Sequence, residues 1–213
     1  MGEFKLGRPA LVCRWRLANG VLPLENRHLR ALAAREVGGK RLPTALVAWV
    51  KQRIEWGLDE ATLECPDGVL MLVIDESGAS ALSVGPYRQL SRTSANDLLL
   101  RAQGSYREAQ STKVAPEELW LAQRDGLVWG SSSEFAASGA STLVSDLART
   151  MGMPVYRDEA LLREAERRGF VGDEVFLVSD EHGVVPASDR GGERAVKFAQ
   201  SYRKLLKRRG RRG

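Results

Sequence analysis

The sequence holds few of the groups from which reactive centres are usually built. Its 213 residues include two cysteines, Cys13 and Cys65, and two histidines, His28 and His182. Two widely separated thiols do not make a disulfide framework, so both are expected reduced. No pair of Cys or His stands at metal-ligand spacing, which argues against a structural zinc site. No apolar run approaches the ~20 residues that span a bilayer. The first residues, MGEFKLGRP, lack the apolar centre of a signal peptide, and Gly2 lacks the Ser or Thr of a myristoylation signal. The expectation is a cytoplasmic protein with no membrane partner. No internal repeat is visible.

With 43% hydrophobic residues, the chain can bury one large core or two small ones. Its formal net charge of +5 is unevenly placed. Seven of the 32 Lys and Arg residues fall in RKLLKRRGRRG, residues 203–213, which has no acid; the remaining 25 face 27 Asp and Glu. The body is therefore slightly acidic. The tail reads as a disordered, solubilising end, with Gly210 and Gly213 opposing order; the alternative is contact with a nucleic acid.

Taken in order, ALVCRWRLANGVLPL alternates like a strand and carries the hairpin signal Asn19-Gly20. Glu25–Val37 has Leu29, Leu32 and Ala33 at helical spacing and meets Gly38-Gly39 as a stop. Pro43 opens a second helix over PTALVAWVKQRIEWG, with Gly57 as its end. The segments ATLEC, VLMLVID and ALSVG read as an antiparallel meander. After a polar stretch come an amphipathic helix at Asn96–Gln110, strand ELWLAQ, an Asp125-Gly126 turn and a short strand at Leu127-Val128. A helix at 141–151, capped by Ser141 or Thr142, follows. Next are strand MPVY, a helix at 158–168, strand DEVFLVS, short strand GVVP and a last helix at Glu193–Leu206. The expected organisation is α+β: an N-terminal sandwich over 1–86, a linker at 87–95, a second domain over 96–202 and the basic tail.

The stretch DGLVWGSSSEF, Asp125–Phe135, combines a turn, a short apolar strand, a glycine and three serines. Hydroxyls and amides after a glycine can hold an anion or a polar ring, although a solvated loop has the same composition. Other candidates are weaker. Ser179, Asp180 and His182 are too compact for a catalytic triad. The acidic pairs Asp59-Glu60, Asp158-Glu159 and Asp173-Glu174 sit where acids favour a helix start or stay solvated.

Several segments in this order resemble the class IV aminotransferases, the fold-type-IV pyridoxal-phosphate enzymes. These include branched-chain and D-amino-acid aminotransferases and aminodeoxychorismate lyase. The segments are NRHLRAL, SANDLLLRAQGSYREAQ, EELWLAQRDGLVWGSSSEF and LARTMGMPVYRDEALLREAERRGFVGDEVFLVSDEHGVVPASD, covering about Trp15 to Asp189. The resemblance implies a two-domain fold, an N-terminal α/β sandwich with a C-terminal open-barrel-like α/β domain, and a homodimer. It also implies an imine-forming lysine, an acid beside the pyridine nitrogen and a phosphate cup at a helix start.

The matching positions lack these groups. The lysine position, three before Asn96, is Thr93; Arg92 beside it is always protonated and a poor nucleophile. Lys113 is the nearest downstream lysine. The acid position before Gly130 is Trp129, whose indole donates a hydrogen bond and accepts none. Glu134 stands where an Asn is expected after the serines. The arginine position after His28 is Ala31, with Arg30 one step away. The phosphate-cup segment reads as deleted between Phe135 and STLVSDLA. Asp180 and Glu181 place two acids near it, which would repel a phosphate.

The expectation is a pseudoenzyme of this fold with a binding or structural role, no catalytic residues, no metal and no cofactor. Its remnant pocket would draw on Thr93, Asn96, Trp129, Ser131, Ser132 and Ser179 and could take a small molecule. The alternative is an active pyridoxal-phosphate-dependent aminotransferase or aminodeoxychorismate lyase with displaced groups.

Overall fold

The structure, a computed structural model, describes residues 6–130, 132 and 134–208. Hydrophobic cores form on one face of a first sheet and on both faces of a second, and alternation along the strands decides which side chains enter each.

The first sheet is antiparallel, in the order β1 (Pro9–Arg16), β4 (Val69–Asp75), β5 (Ser80–Gly85). Period-two alternation sends Leu11, Cys13 and Trp15 of β1 and Leu70, Leu72 and Ile74 of β4 to one face. There they pack on Leu29 and Leu32 of α1 (Glu25–Ala33) and on Val50, Ile54 and Leu58 of α2 (Thr44–Ala61). Cys13 and Cys65 are both free thiols, and burial pushes the Cys13 thiol up to about 12.

The second sheet has the order β10 (Gly183–Pro186), β9 (Glu174–Ser179), β6 (Glu118–Gln123), β7 (Gly126–Gly130), β8 (Val155–Asp158). All its pairings are antiparallel except β7 with β8. Helices cover both faces, so β9 is buried along its whole length. Leu119, Leu121, Val175 and Leu177 face α3 (Ala95–Thr112) and α5 (Leu161–Arg168). Trp120, Ala122, Phe176 and Val178 face α4 (Gly139–Thr150) and α6 (Glu193–Arg208).

The layers meet where the outer face of β1 turns towards α3. Val12 joins Ala109, Val114 and Phe135 in a small cluster, and Arg14 pairs with Glu108 at 3.2 and 2.5 Å. The Arg16 amide donates to the Asp180 carbonyl at 3.0 Å, tying β1 to the loop after β9. Residues 86–94 contain no helix or strand.

Several local expectations are corrected. Asn19-Gly20 does make a tight turn, with φ of 51° and 74°, but it closes a single bridge, Ala18 to Val21. The partner of β1 is β4, sixty residues away, because that pairing buries the apolar face. Gly38-Gly39 turns a small hairpin, β2 (Glu36–Val37) with β3 (Lys40–Arg41), and α1 ends earlier. ATLEC is not a strand. The stripe Val50, Ile54, Leu58 carries α2 through Gly57 to Ala61, and its burial outweighs the roughly 1 kcal/mol a helical glycine costs. The basic tail is helical in its first half, since α6 runs to Arg208; residues 209–213 lie outside the described residues.

Candidate functional site

A small cavity of about 30 Å³ lies between the layers, lined by β1, α1, α3 and the loop after β9. Its walls include Cys13, His28, Ala31, Arg35, Glu117, Ser179 and Asp180. That volume holds about one or two waters. Among the described residues no lysine lines it.

At one side stands the N-terminus of α4, where the first helical amides have no partner within the helix. Here the amides of Ala140, Ser141 and Thr142 are engaged by the protein. Ser138 is the cap: its hydroxyl accepts from the Ser141 amide at 3.0 Å, and its carbonyl accepts from Thr142. The Ala140 amide donates to Oδ1 of Asp180 at 2.8 Å, and Gly139 adds to the hold on that carboxylate. Sequence reasoning placed the cap at Ser141 or Thr142. Instead the Ser141 hydroxyl turns inward and donates to Glu118, a second buried acid.

Asp180 and His28 fill the space in front of this helix. Nδ1 of His28 is 3.5 Å from Oδ2 of Asp180, within ion-pair distance, but makes no hydrogen bond. A Cβ added at Gly139 would lie 2.7 Å from Nδ1 of His28. Burial opposes the ionised form of Asp180. Attraction to His28 and the amides of Ala140 and Gly139 outweigh it, so the carboxyl is held below the usual carboxylate range.

A second polar network borders the cavity. Arg101 grips Glu117 with Nε at 2.6 Å and Nη2 at 2.8 Å, and the same Nη2 lies 2.8 Å from Nε2 of His182. Nδ1 of His182 faces the Tyr87 hydroxyl at 3.3 Å, and the Arg16 guanidinium stacks on the Tyr87 ring at 3.4 Å. Arg101 can only donate, so Nε2 of His182 accepts and the proton sits on Nδ1. Burial, then Arg101, Arg16 and Arg14, bring His182 down to about 4. Burial likewise raises Glu117 despite Arg101. Ligand atoms of Glu117, Glu181 and His182 lie within 4.8 Å of one another. The Arg101 guanidinium already holds the position a metal cation would need.

The sequence-based candidates do not converge. Thr93 is half-buried, and its carbonyl accepts from the Ser188 amide at 2.8 Å. Asn96 is exposed. Trp129 lies in the core under α4, stacked on Trp120 at 5.0 Å, with the Arg157 guanidinium 4.8 Å above its ring. Ser132 lines a separate groove beside α5 and donates its amide to the Tyr106 hydroxyl at 3.3 Å. Ser131 lies outside the described residues. Ser179 alone lines the cavity, where its hydroxyl accepts from the His182 amide at 2.9 Å. The His182 ring turns away from that hydroxyl, so Ser179, Asp180 and His182 form no relay. Lys113 caps the end of α3 at φ 52° and lines an open groove of about 960 Å³ with Arg8, Arg35 and Arg157.

The helix expected at 141–151 is present as α4 and starts two residues earlier, at Gly139; its Ala140 and Ser141 amides are already engaged by Asp180 and Ser138. Asp180 was visible in the sequence as an added acid. Its placement on those amides was not, because the contact joins positions forty residues apart. Glu118 and Arg101 carried no local signal.

No protein-family model matches the chain, and no curated protein sequence matches it. Solved structures do. A candidate branched-chain amino acid aminotransferase from Thermotoga maritima superposes with a TM-score of 0.60 at 13% identity, covering 94% of this chain and 86% of that one. A candidate 4-amino-4-deoxychorismate lyase from Legionella pneumophila gives 0.59 at 14%, covering 97% and 95%. The pyridoxal-phosphate-bound form of a hypothetical aminotransferase from Mycobacterium tuberculosis gives 0.57 at 12%, covering 97% and 93%. The fold is that of the class IV aminotransferases. No helix among the described residues is long and apolar enough to cross a membrane.

The groups around the cavity do not fit pyridoxal phosphate. The helix amides that would receive its phosphate already serve Asp180 and Ser138. Asp180, buried against those amides, would repel a dianion brought to them. The enclosed space is far below the ~300 Å³ at which small-ligand pockets begin.

Proposed function

We propose that this chain is a class IV aminotransferase-like protein without pyridoxal-phosphate chemistry, a pseudoenzyme with a binding or structural role. The observation that carries the proposal is the engagement of the α4 amides by Asp180, with His28 packed against them. An internal carboxylate takes the place of a phosphate. Thr93 in place of a lysine and Trp129 in place of an acid support the same reading. The protein would act in the cytoplasm as a homodimer, and a small ligand would use the open groove beside Lys113 rather than the enclosed cavity.

Titration of the purified protein with pyridoxal phosphate tests the proposal. The spectrum should remain that of free cofactor, with no saturable imine band. A saturable band would overturn it.

One observation favours a second reading, an active aminotransferase or lyase with displaced groups. Lys113 lines a groove large enough for a cofactor, beside the cationic Arg8 and Arg35. A cofactor held there by Lys113 would lie in the open groove, which shares Arg35 with the enclosed cavity and reaches Ala137, just before the cap of α4.

A further inference from the structure

Helix α6 divides sharply around its circumference. Ala195, Phe198, Ala199 and Tyr202 are buried, and Leu205 and Leu206 pack against the same core. Lys197, Arg203, Lys204 and Lys207 are exposed. At ~100° per residue these four fall within an arc of about 120° on the opposite side. Among the described residues, no carboxylate lies within ion-pair distance of any of them. A helix kept basic only for solubility usually intersperses acids at i+4. From Arg203 onward the sequence has none and continues with Arg208, Arg209, Arg211 and Arg212. The rest of the chain carries a slight excess of acid, so the net positive charge comes from this end.

From this geometry we infer that the outer arc of α6, formed by Lys197, Arg203, Lys204 and Lys207, binds the phosphate backbone of nucleic acid without reading sequence. Unlike the proposal above, it rests on nothing in the cavity. A membrane surface is the less suited polyanion, because a helix that lies on a bilayer needs a free apolar face. On α6 that face is committed to the protein core. Base reading is not expected either: the aromatics of α6, Phe198 and Tyr202, are buried and offer no stacking platform.

The test is fluorescence anisotropy of the full chain with a labelled duplex of random sequence, and in parallel with a single-stranded RNA. Four phosphate contacts predict an affinity loss on the order of 100-fold for about a fourfold rise in salt. The combined variant Arg203→Glu, Lys204→Glu, Lys207→Glu should weaken binding roughly tenfold or more at low salt. These side chains are exposed, so its melting temperature should match the parent's. Lys40→Glu with Arg41→Glu, on the exposed β3, should leave binding unchanged. Unaltered binding by the α6 variant, binding insensitive to salt, or capture by phosphatidylserine vesicles without binding to either oligonucleotide would each overturn the inference.

Discussion

The carboxylate of Asp180 accepts a hydrogen bond from the backbone amide of Ala140 at 2.8 Å, across forty residues of sequence. Nδ1 of His28 lies 3.5 Å from the other oxygen of the same carboxylate. A negative charge on the first turn of a helix is favourable, and its burial makes the geometry specific. Four predictions start from this contact and the groups around it.

Asp180→Asn keeps the shape and removes the charge. It should cost about 1–3 kcal/mol in urea unfolding at neutral pH, because buried amides lose a charged acceptor. The folded-state value of Asp180 is lowered, so its contribution is present above the ordinary carboxylate value of about 3.9 and is lost as pH falls through the folded value below it. The stability gap between parent and variant should therefore narrow at the acid end.

Asp180→Ser should free the Gly139 and Ala140 amides for an external anion. Inorganic phosphate should then raise the variant's stability by about 1.4 kcal/mol at ten times its Kd and leave the parent unchanged. Equal stabilisation of both would mean that Asp180 does not block the helix start.

His182 gives the molecule a pH dependence of opposite cause. Its folded value is depressed from 6.5 to about 4, so the unfolded chain takes up a proton that the folded one refuses. Stability should fall as pH drops from about 6.5 towards 4. In His182→Gln this part of the slope should flatten, measured as the urea midpoint across that range.

Trp129→Ala should cost about 3–5 kcal/mol, the usual range for emptying a buried aromatic site. It should also remove the exciton couplet expected in circular dichroism from the Trp120–Trp129 stack, at 5.0 Å and 25° between planes. Loss of the couplet with little loss of stability would show that Trp129 does not fill the core.

The two-layer fold was legible because its strands alternate and its helices carry apolar stripes. The second half is the more legible: β6, β9 and β10 fall where the runs ELWLAQ, DEVFLVS and GVVP place them, and β7 extends the Leu127-Val128 strand on both sides. The first half was read less well, because local turn signals compete there with distant pairing. Asn19-Gly20 promised a hairpin, but β1 buries more apolar surface on β4. Gly57 promised a helix end, but the stripe through Leu58 carried α2 onward.

For the site, the sequence offered Thr93 and Trp129 as pocket residues but gave no sign that Trp129 packs into the core on Trp120. Nor was the occupied helix start readable: a run of ASGA gives no sign of the partner that will meet its amides. The network of Arg101, Glu117 and His182 likewise joins three segments that share no pattern.

The most direct measurement is chemical trapping. The intact protein is incubated with pyridoxal phosphate, reduced with borohydride and weighed by mass spectrometry, with peptide mapping of any product. The account predicts an unmodified mass and no single-site adduct. A stoichiometric phosphopyridoxyl group on Lys113, or on any other single lysine, would contradict it.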